Sequence, residues 1–314
     1  MHEPLGLRRP VDHVTDVALM MDCFAGVPDE ERPAFGALPL HFREEVAIHG
    51  NLYIGPLTGL KEDIYDACQP RGHNWVEPHR AFPIEYGMYR RRAPMDNLWV
   101  WDQDQGLQTC MTLSRLVRPT SIGVRCAARL IFDADDNLME IAPANLDIGV
   151  RAWVADESRN WLRDEDLPRL RRLVDRFDPE VLSSRPQRAF WFFEHACRTL
   201  WIDVRWPLMT IALEALVHTD RRHSTRQFVE RILTLSGRIG GPEVSEDELR
   251  EIYDRRSHLA HGAGLGALDA EARRLYLKME AVLRRILEAI VLEPATAAIF
   301  EDEANIRREL GDIR

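Results

Sequence analysis

Lysine is nearly missing from this sequence: only Lys61 and Lys278 occur among its 41 basic residues, and arginine supplies the others. We attribute this bias to genome composition rather than to function. The chain also has no excess of positive charge, because its formal net charge is −10. Residues 151–314 carry 27 basic and 29 acidic groups, so most of the negative charge lies in residues 1–150. General nucleic-acid-binding proteins are usually basic, so any RNA-acting site has to be local.

Cysteine is scarce as well, and the five cysteines form no CxxC pair. An odd number of cysteines without paired spacing favours reduced, packed thiols over a disulfide framework. Long apolar runs are missing, since stretches such as residues 286–292 are far too short to span a bilayer. No apolar segment follows a basic start, so we expect no secretion signal. These absences predict a cytoplasmic protein without a membrane partner.

The length of 314 residues favours two domains rather than one hydrophobic core. In residues 1–155, short apolar runs alternate with turn residues, which predicts a β-rich antiparallel domain, either sandwich-like or built on one curved sheet. Residues 129–141 predict a hairpin with its turn at 135–137. Strands are predicted at 14–24, 45–54, 82–89, 98–101, 109–116 and 121–132. From residue 156 the apolar period becomes helical, so residues 156–314 predict an all-helical bundle and the fold class is α+β.

Two polar clusters in the β-rich half resemble metal sites only superficially. His73, Glu77 and His79 lie close together in the sequence, but their spacing matches no zinc or iron pattern, and we favour a polar loop. The aspartates of residues 133–136 lack the glycine and the distal glutamate of a calcium loop. We therefore predict no metal and no cofactor.

Start and stop signals divide the C-terminal half into helices. Asp164 and Asp269 are suited to cap helix starts, and Ser224 with Gln227 has the spacing of a capping box. The Trp206–Pro207 pair predicts a break or kink, because a proline disfavours a helix at the residue before it. The predicted helices cover residues 164–177, 186–205, 207–219, 224–237, 245–261 and 269–292.

The most informative of these helices runs from Ser245 to Gly262. Ser245 and Glu248 form a capping-box pair at its start, and Gly262 suits the left-handed residue that closes a helix. Arg256 falls within the apolar stripe, where a guanidinium needs a partner or a ligand. His261 lies in the last turn, where the helix dipole favours its protonated form. An anion-binding arginine and a titratable histidine therefore share one helix end.

The spacing of Arg256 and His261 is by itself a weak signal. With about 39 arginines and 11 histidines in the chain, chance alone gives roughly one Arg-x4-His match. A second match, Arg8 to His13, does occur. From spacing alone, an ion-paired arginine and a helix-capping histidine are favoured by about two to one. The surrounding sequence has to carry any functional interpretation.

The surrounding sequence resembles a known family. ALEALVH at 212–218, followed by IYDRRSHLAHG at 252–262, is similar to the Apea-like HEPN group of the HEPN superfamily. That group has an acidic residue in a leucine-rich helix and then a helix ending in Tyr-Asp-x-Arg-Ser-x-x-x-His-Gly. The similarity covers roughly residues 160–292. The matching positions are Glu214, Tyr253, Asp254, Arg256, Ser257, His261 and Gly262.

This resemblance implies a HEPN-like helical bundle that forms a homodimer through the 245–262 helix, so that two copies of Arg256 and His261 line one cleft. In catalytic members such a cleft cleaves RNA without a metal, often in toxin-like or anti-phage roles. Arg256 and His261 are then the catalytic residues. Their supporting residues are Glu214, Tyr253, Asp254 and Ser257. The β-rich domain is expected to be a sensor or regulatory domain whose trigger is unknown.

Two alternatives stay open beside an endoribonuclease. Catalytic HEPN proteins usually have Asn, Asp or His after the arginine, and this chain has Ser257. A non-catalytic module that binds RNA or a nucleotide, or that only dimerises, fits this residue equally well. On an ideal helix, Arg256 and His261 also point about 140° apart. They converge only if the last turn unwinds at Gly262 or if a second subunit supplies one of them.

Overall fold

The computed structural model describes residues 12–22, 44–56, 63, 67, 86–92, 106–119, 122–144, 162–199, 201–220, 222–262 and 269–313. The chain divides into two compact units. The first is drawn from residues 1–111, 122–150 and 159–167, and the second from residues 112–121, 151–158 and 168–314. An antiparallel sheet precedes a helical region, so the α+β prediction is confirmed.

The first unit contains a six-stranded antiparallel sheet with the order β2-β3-β4-β1-β5-β6. The central strand β1 pairs with β4 on one side and with β5 on the other. Its apolar residues Val14 and Val17 are fully buried, whereas Arg129 of β5 is buried only because it pairs with Asp16. The strands are β1 His13–Asp22, β2 Val46–His49, β3 Leu52–Pro56, β4 Tyr86–Arg92, β5 Ile122–Phe132 and β6 Leu138–Ala144.

The predicted hairpin at 129–141 is confirmed, since β5 and β6 pair from Phe132 opposite Leu138. Asp136 adopts the left-handed region at φ +62°, which a tight turn requires. The Asp133 carboxylate accepts backbone N–H groups of Asp135 and Asn137. The aspartate cluster is therefore engaged in turn formation.

One predicted strand is wrong. Residues 109–116 belong to a helix, α1, which spans Gly106–Val117. Every residue from Cys110 to Val117 is buried, so burial does not alternate along this segment as it does in a half-buried strand. The predicted strand at 98–101 and the cluster of His73, Glu77 and His79 lie outside the described residues.

The second unit is predominantly helical. A long helix, α7, is capped by Asp269, which accepts the Ala272 N–H as predicted. Core side chains such as Phe193, Trp206 and Phe228 are essentially without solvent contact. Beyond α1, the helices are a 3₁₀ turn Asp164–Asp166, α2 Leu167–Arg176, α3 Ser184–Arg198, α4 Ile202–Val217, α5 Ser224–Arg238, α6 Glu246–Ala260, α7 Ala270–Leu292, α8 Pro294–Ala298 and α9 Glu303–Leu310.

Two local predictions in this unit are wrong. Helix α4 continues through Pro207, and the chain breaks earlier, where Thr199 and Trp201 take extended conformations. The proline lies near the helix start, so it removes only one backbone hydrogen bond from a helix that is buried along one side. Ser224 forms no capping box, because Gln227 instead accepts the backbone N–H groups of the preceding loop.

Candidate functional site

Helix α6 is fixed in the bundle along its first three turns. It packs against α4, α5 and α7. Ser245 accepts the Glu248 N–H at 3.2 Å and Glu248 accepts the Ser245 N–H at 2.9 Å, so the predicted capping box is confirmed. Ile252 is buried, and its carbonyl accepts the indole N–H of Trp206 at 3.0 Å. These contacts fix the position of α6, including its C-terminal half.

Arg256 projects from α6 towards α4 and pairs with Glu214. The Arg256 Nη2 atom donates to the Glu214 Oε2 atom at 2.9 Å. The Arg256 side chain is 28% exposed, whereas that of Glu214 is 11% exposed. The Arg256 Nε atom is buried and has no hydrogen-bond partner among the described residues. One end of the guanidinium is thus held by a carboxylate while part of it stays accessible to a ligand.

Tyr253 completes this pair from the preceding turn of α6. The guanidinium carbon of Arg256 lies 5.9 Å from the centre of the Tyr253 ring, within cation–π range. Burial raises the pKa of Glu214, and the Arg256 charge together with a hydrogen bond from Tyr253 opposes that rise. Both neighbours therefore favour the charged form of the carboxylate. Glu214, Tyr253 and Arg256 form one unit, as the matched motif implies.

His218 belongs to the same cluster, although the sequence analysis did not single it out. Its Nε2 atom donates to the carbonyl of Ser224 at 2.9 Å, and its ring stacks edge-on with Tyr253 at 6.2 Å. Burial lowers the pKa of His218 to about 4, and the nearby charge of Arg256 acts in the same direction. The imidazole is neutral at neutral pH. Its position four residues after Glu214 was the available signal, because i and i+4 share a helix face.

His261 lies at the end of α6 and is exposed. Its backbone N–H donates to the carbonyl of Ser257 at 3.2 Å, so the helical path continues up to this residue. Gly262 then takes φ +89°, the left-handed conformation predicted for it. Within the described part of the chain, no hydrogen bond or ion pair joins His261 to Arg256. Because α6 is helical through Ala260, the two side chains are expected to leave the helix in different directions.

The remaining motif positions surround Arg256 without joining the pair. Asp254 is exposed and Ser257 is half-buried. Arg255 points elsewhere, as its helical position predicts, and binds Glu251 at 2.7 Å. These residues line the face of α6 next to Arg256 and leave its contact with Glu214 undisturbed.

No group of three or more histidine, cysteine or acidic side chains in the described residues has the geometry of a metal site. Among the described helices, none is both long enough and apolar enough to cross a membrane. Comparison with models of protein families, with curated proteins and with solved structures returns no match.

Proposed function

We propose that the helical unit is a HEPN-type, metal-independent endoribonuclease that acts as a homodimer through the Ser245–Gly262 helix. The observation that carries the proposal is the geometry of Arg256, which Glu214 holds in a partly exposed position one turn before an exposed His261. A fixed guanidinium and a titratable imidazole at one helix end are the two groups that phosphate-ester chemistry in RNA requires. A toxin-like or anti-phage role follows from the same resemblance.

The proposed reaction uses the imidazole of one His261 first as base and then as acid. A neutral His261 removes the proton of a ribose 2′-hydroxyl, whose oxygen then attacks the adjacent phosphorus. Arg256 stabilises the charge that accumulates on the phosphate oxygens. The resulting imidazolium then returns this proton to the 5′-oxygen as it leaves. The products are a 2′,3′-cyclic phosphate and a 5′-hydroxyl.

The dimer is a requirement of this mechanism. Five residues on a helix turn by about 500°, so Arg256 and His261 point about 140° apart on one chain. In the structure α6 runs to Ala260, and the N–H of His261 is shared between the carbonyls of Ser257 and His258 at 3.2 and 3.1 Å. The path from Arg256 to His261 therefore stays close to helical and does not relieve this angle. Two copies of α6 related by a twofold axis bring an arginine of one chain to a histidine of the other.

The direct test is cleavage of a labelled RNA by the purified protein in EDTA. We expect Arg256→Ala and His261→Ala each to lower the rate by about 10²- to 10³-fold. Matched controls lie on the same helix: Arg250, exposed and paired with Glu246, and His258, also exposed. Arg250→Ala and His258→Ala should cut at the parental rate. If the two site variants also cut like the parent, the assignment of the site is wrong.

Mixed dimers test the shared cleft separately. Co-refolding Arg256→Ala with His261→Ala chains gives heterodimers in which one of the two composite sites is intact. We expect these mixtures to recover about a quarter of the parental rate. A mixture as inactive as each variant alone would place both residues of a site on one chain.

Binding without cleavage is the second candidate function. The observation in its favour is that Ser257 follows Arg256 and that Glu214 already neutralises part of the arginine charge. A binding module retains RNA or a nucleotide without turnover, and Arg256→Ala weakens its affinity. A helical unit that only dimerises binds neither ligand.

A further inference from the structure

A second arginine-rich cluster lies inside the helical unit, away from Arg256. It surrounds the buried thiol of Cys197 on α3. Arg115 at the end of α1 and Arg205 at the start of α4 are 2% and 1% exposed. Such burial is unusual for arginine unless its charge is matched by a partner.

Five of the six nitrogens of these two guanidinium groups have no hydrogen-bond acceptor among the described residues. All three nitrogens of Arg115 and two of Arg205, Nε and Nη1, are buried without a hydrogen-bond partner. The Arg115 Nη1 atom is 3.5 Å from the Oε2 atom of Glu194, close enough for charge attraction only. Arg205 lies over the Tyr276 ring at 5.4 Å. Buried polar groups are nearly always hydrogen-bonded, so these five nitrogens call for an acceptor.

The carboxylates around the cluster are too few to provide it. Glu194 already binds the Arg198 Nε atom at 2.7 Å and the hydroxyl of Thr112. Glu280 is the other carboxylate near Cys197 and Arg205. Arg284 is also close, and its nitrogens donate to the backbone carbonyls of residues 115 and 116 at 2.8 Å. Glu288 also acts on Arg284, but it already pairs with Arg169. Among the described residues, the other four guanidinium groups therefore share Glu194 and Glu280, which leaves about two positive charges unmatched.

The neutral side chains of the cluster do not supply the missing charge. Burial raises the pKa of the Cys197 thiol to about 12. Burial also raises the pKa of the Tyr276 hydroxyl well above its ordinary value. Both groups keep their protons at neutral pH, whereas arginine stays charged under all these conditions. Within the part of the chain that the structure describes, no group near Cys197 supplies the missing negative charge.

We propose that Arg115 and Arg205 bind a small inorganic oxyanion, phosphate or sulfate, in the interior of the helical unit. The planar guanidinium offers paired N–H donors that match two oxygens of an oxyanion. A tetrahedral anion supplies several acceptors and negative charge at one point, which a water molecule does not. This anion site includes neither Arg256 nor His261, so it can be tested independently of the proposed function.

The test is the thermal stability of the full chain in a buffer of large organic anions at constant ionic strength. Inorganic phosphate or sulfate should raise the Tm with saturation, by about 5 °C at a hundred times the Kd. Chloride serves as the comparison, because a monatomic ion cannot accept hydrogen bonds from the paired N–H groups of two guanidinium groups at once. In Arg205→Met and Arg115→Met, the apparent affinity for phosphate, obtained from the dependence of Tm on its concentration, should fall at least tenfold.

Arg231 provides the matched control. It is also fully buried, but its nitrogens donate to the carbonyls of Val217 and Gly311 and to Thr219. Arg231→Met should lower the Tm and still show the parental response to phosphate. Should the cluster variants not fold, equilibrium dialysis of the parent with radiolabelled phosphate decides, with one phosphate per chain expected. No bound phosphate, or an equal Tm shift in all variants, overturns the proposal.

Discussion

Two arginine–carboxylate pairs in this protein use the same chemistry in opposite surroundings. In the sheet, Arg129 donates to Asp16 through Nε and Nη2, at 2.7 and 3.2 Å, and the two side chains are sealed from solvent. In the helical unit, Arg256 donates to Glu214 through a single nitrogen and keeps a quarter of its side chain exposed. The first pair has no accessible surface for a ligand, whereas the second presents a positively charged edge to solvent.

The comparison shows that pairing alone does not separate a structural arginine from a ligand-binding one. The sequence analysis weighed an ion-paired Arg256 against a catalytic one as alternatives. The structure pairs Arg256 with Glu214 and still leaves it partly accessible, so an ion pair does not prevent this arginine from meeting a ligand. A carboxylate that holds one end of a guanidinium orients the other end, which is how preorganised catalytic arginines are positioned. Exposure is the property that distinguishes the two pairs.

Arg129→Met should give the largest loss of stability, about 3–5 kcal/mol, because it leaves the Asp16 carboxylate buried without its partner. Urea denaturation measures the loss, and hydrogen exchange should place it in β1 and β5. The double variant Asp16→Asn with Arg129→Met removes the stranded charge and should recover part of the loss. A loss below about 1 kcal/mol in the single variant would mean that the sheet pair is hydrated like a surface pair.

His218 supplies the next largest effect, which depends on pH. Its folded-state pKa is lowered to about 4 from an ordinary 6.5, so the unfolded chain binds the proton first as the pH falls. Stability is therefore lost between about pH 6.5 and pH 4, by roughly 2–3 kcal/mol. His218→Gln should flatten this part of the pH profile, measured by urea denaturation at each pH.

The charged groups that face His218 are Arg185, Arg231 and Arg256, and the first of them donates to its backbone carbonyl. These positive charges act with burial to keep the imidazole neutral. The exposed His258 is the matched control, and His258→Gln should leave the acid slope unchanged. If the stability of the parent protein does not change from pH 7 to pH 4, His218 is well hydrated in the folded protein and the prediction is wrong.

The parts of the fold that sequence predicted well are those set by local chemistry. The Ser245–Glu248 capping box, the Asp269 cap and the turn at Asp136 each depend on a few neighbouring residues, and each is present. The strand predicted at residues 109–116 was wrong, because a short apolar run has no period that separates a strand from a helix. The break predicted at Pro207 was wrong for a different reason. Burial of α4 outweighs the loss of one backbone hydrogen bond.

The candidate site was predictable only in part. Arg256 and Glu214 are 42 residues apart, and it was the motif, not spacing on a helix, that brought them into one hypothesis. His218 was not singled out, because its role depends on Tyr253 and Ser224 from two other helices. The cluster around Cys197 was also beyond sequence reasoning, since burial of an arginine on α1 or α4 is a property of the packed bundle.

The Arg256–Glu214 pair should give the smallest of the three effects. Arg256→Met should cost about 1–2 kcal/mol at neutral pH, less than the sheet pair, because solvent reaches one side of the stranded Glu214. Glu214→Gln combined with Arg256→Met should cost less than the sum of the single changes, giving a coupling energy of about 1 kcal/mol in a double-mutant cycle. Equal losses for Arg256→Met and Arg129→Met would mean that Glu214 is as sealed as Asp16. The edge of Arg256 that the nuclease proposal requires would then not be open to a phosphate.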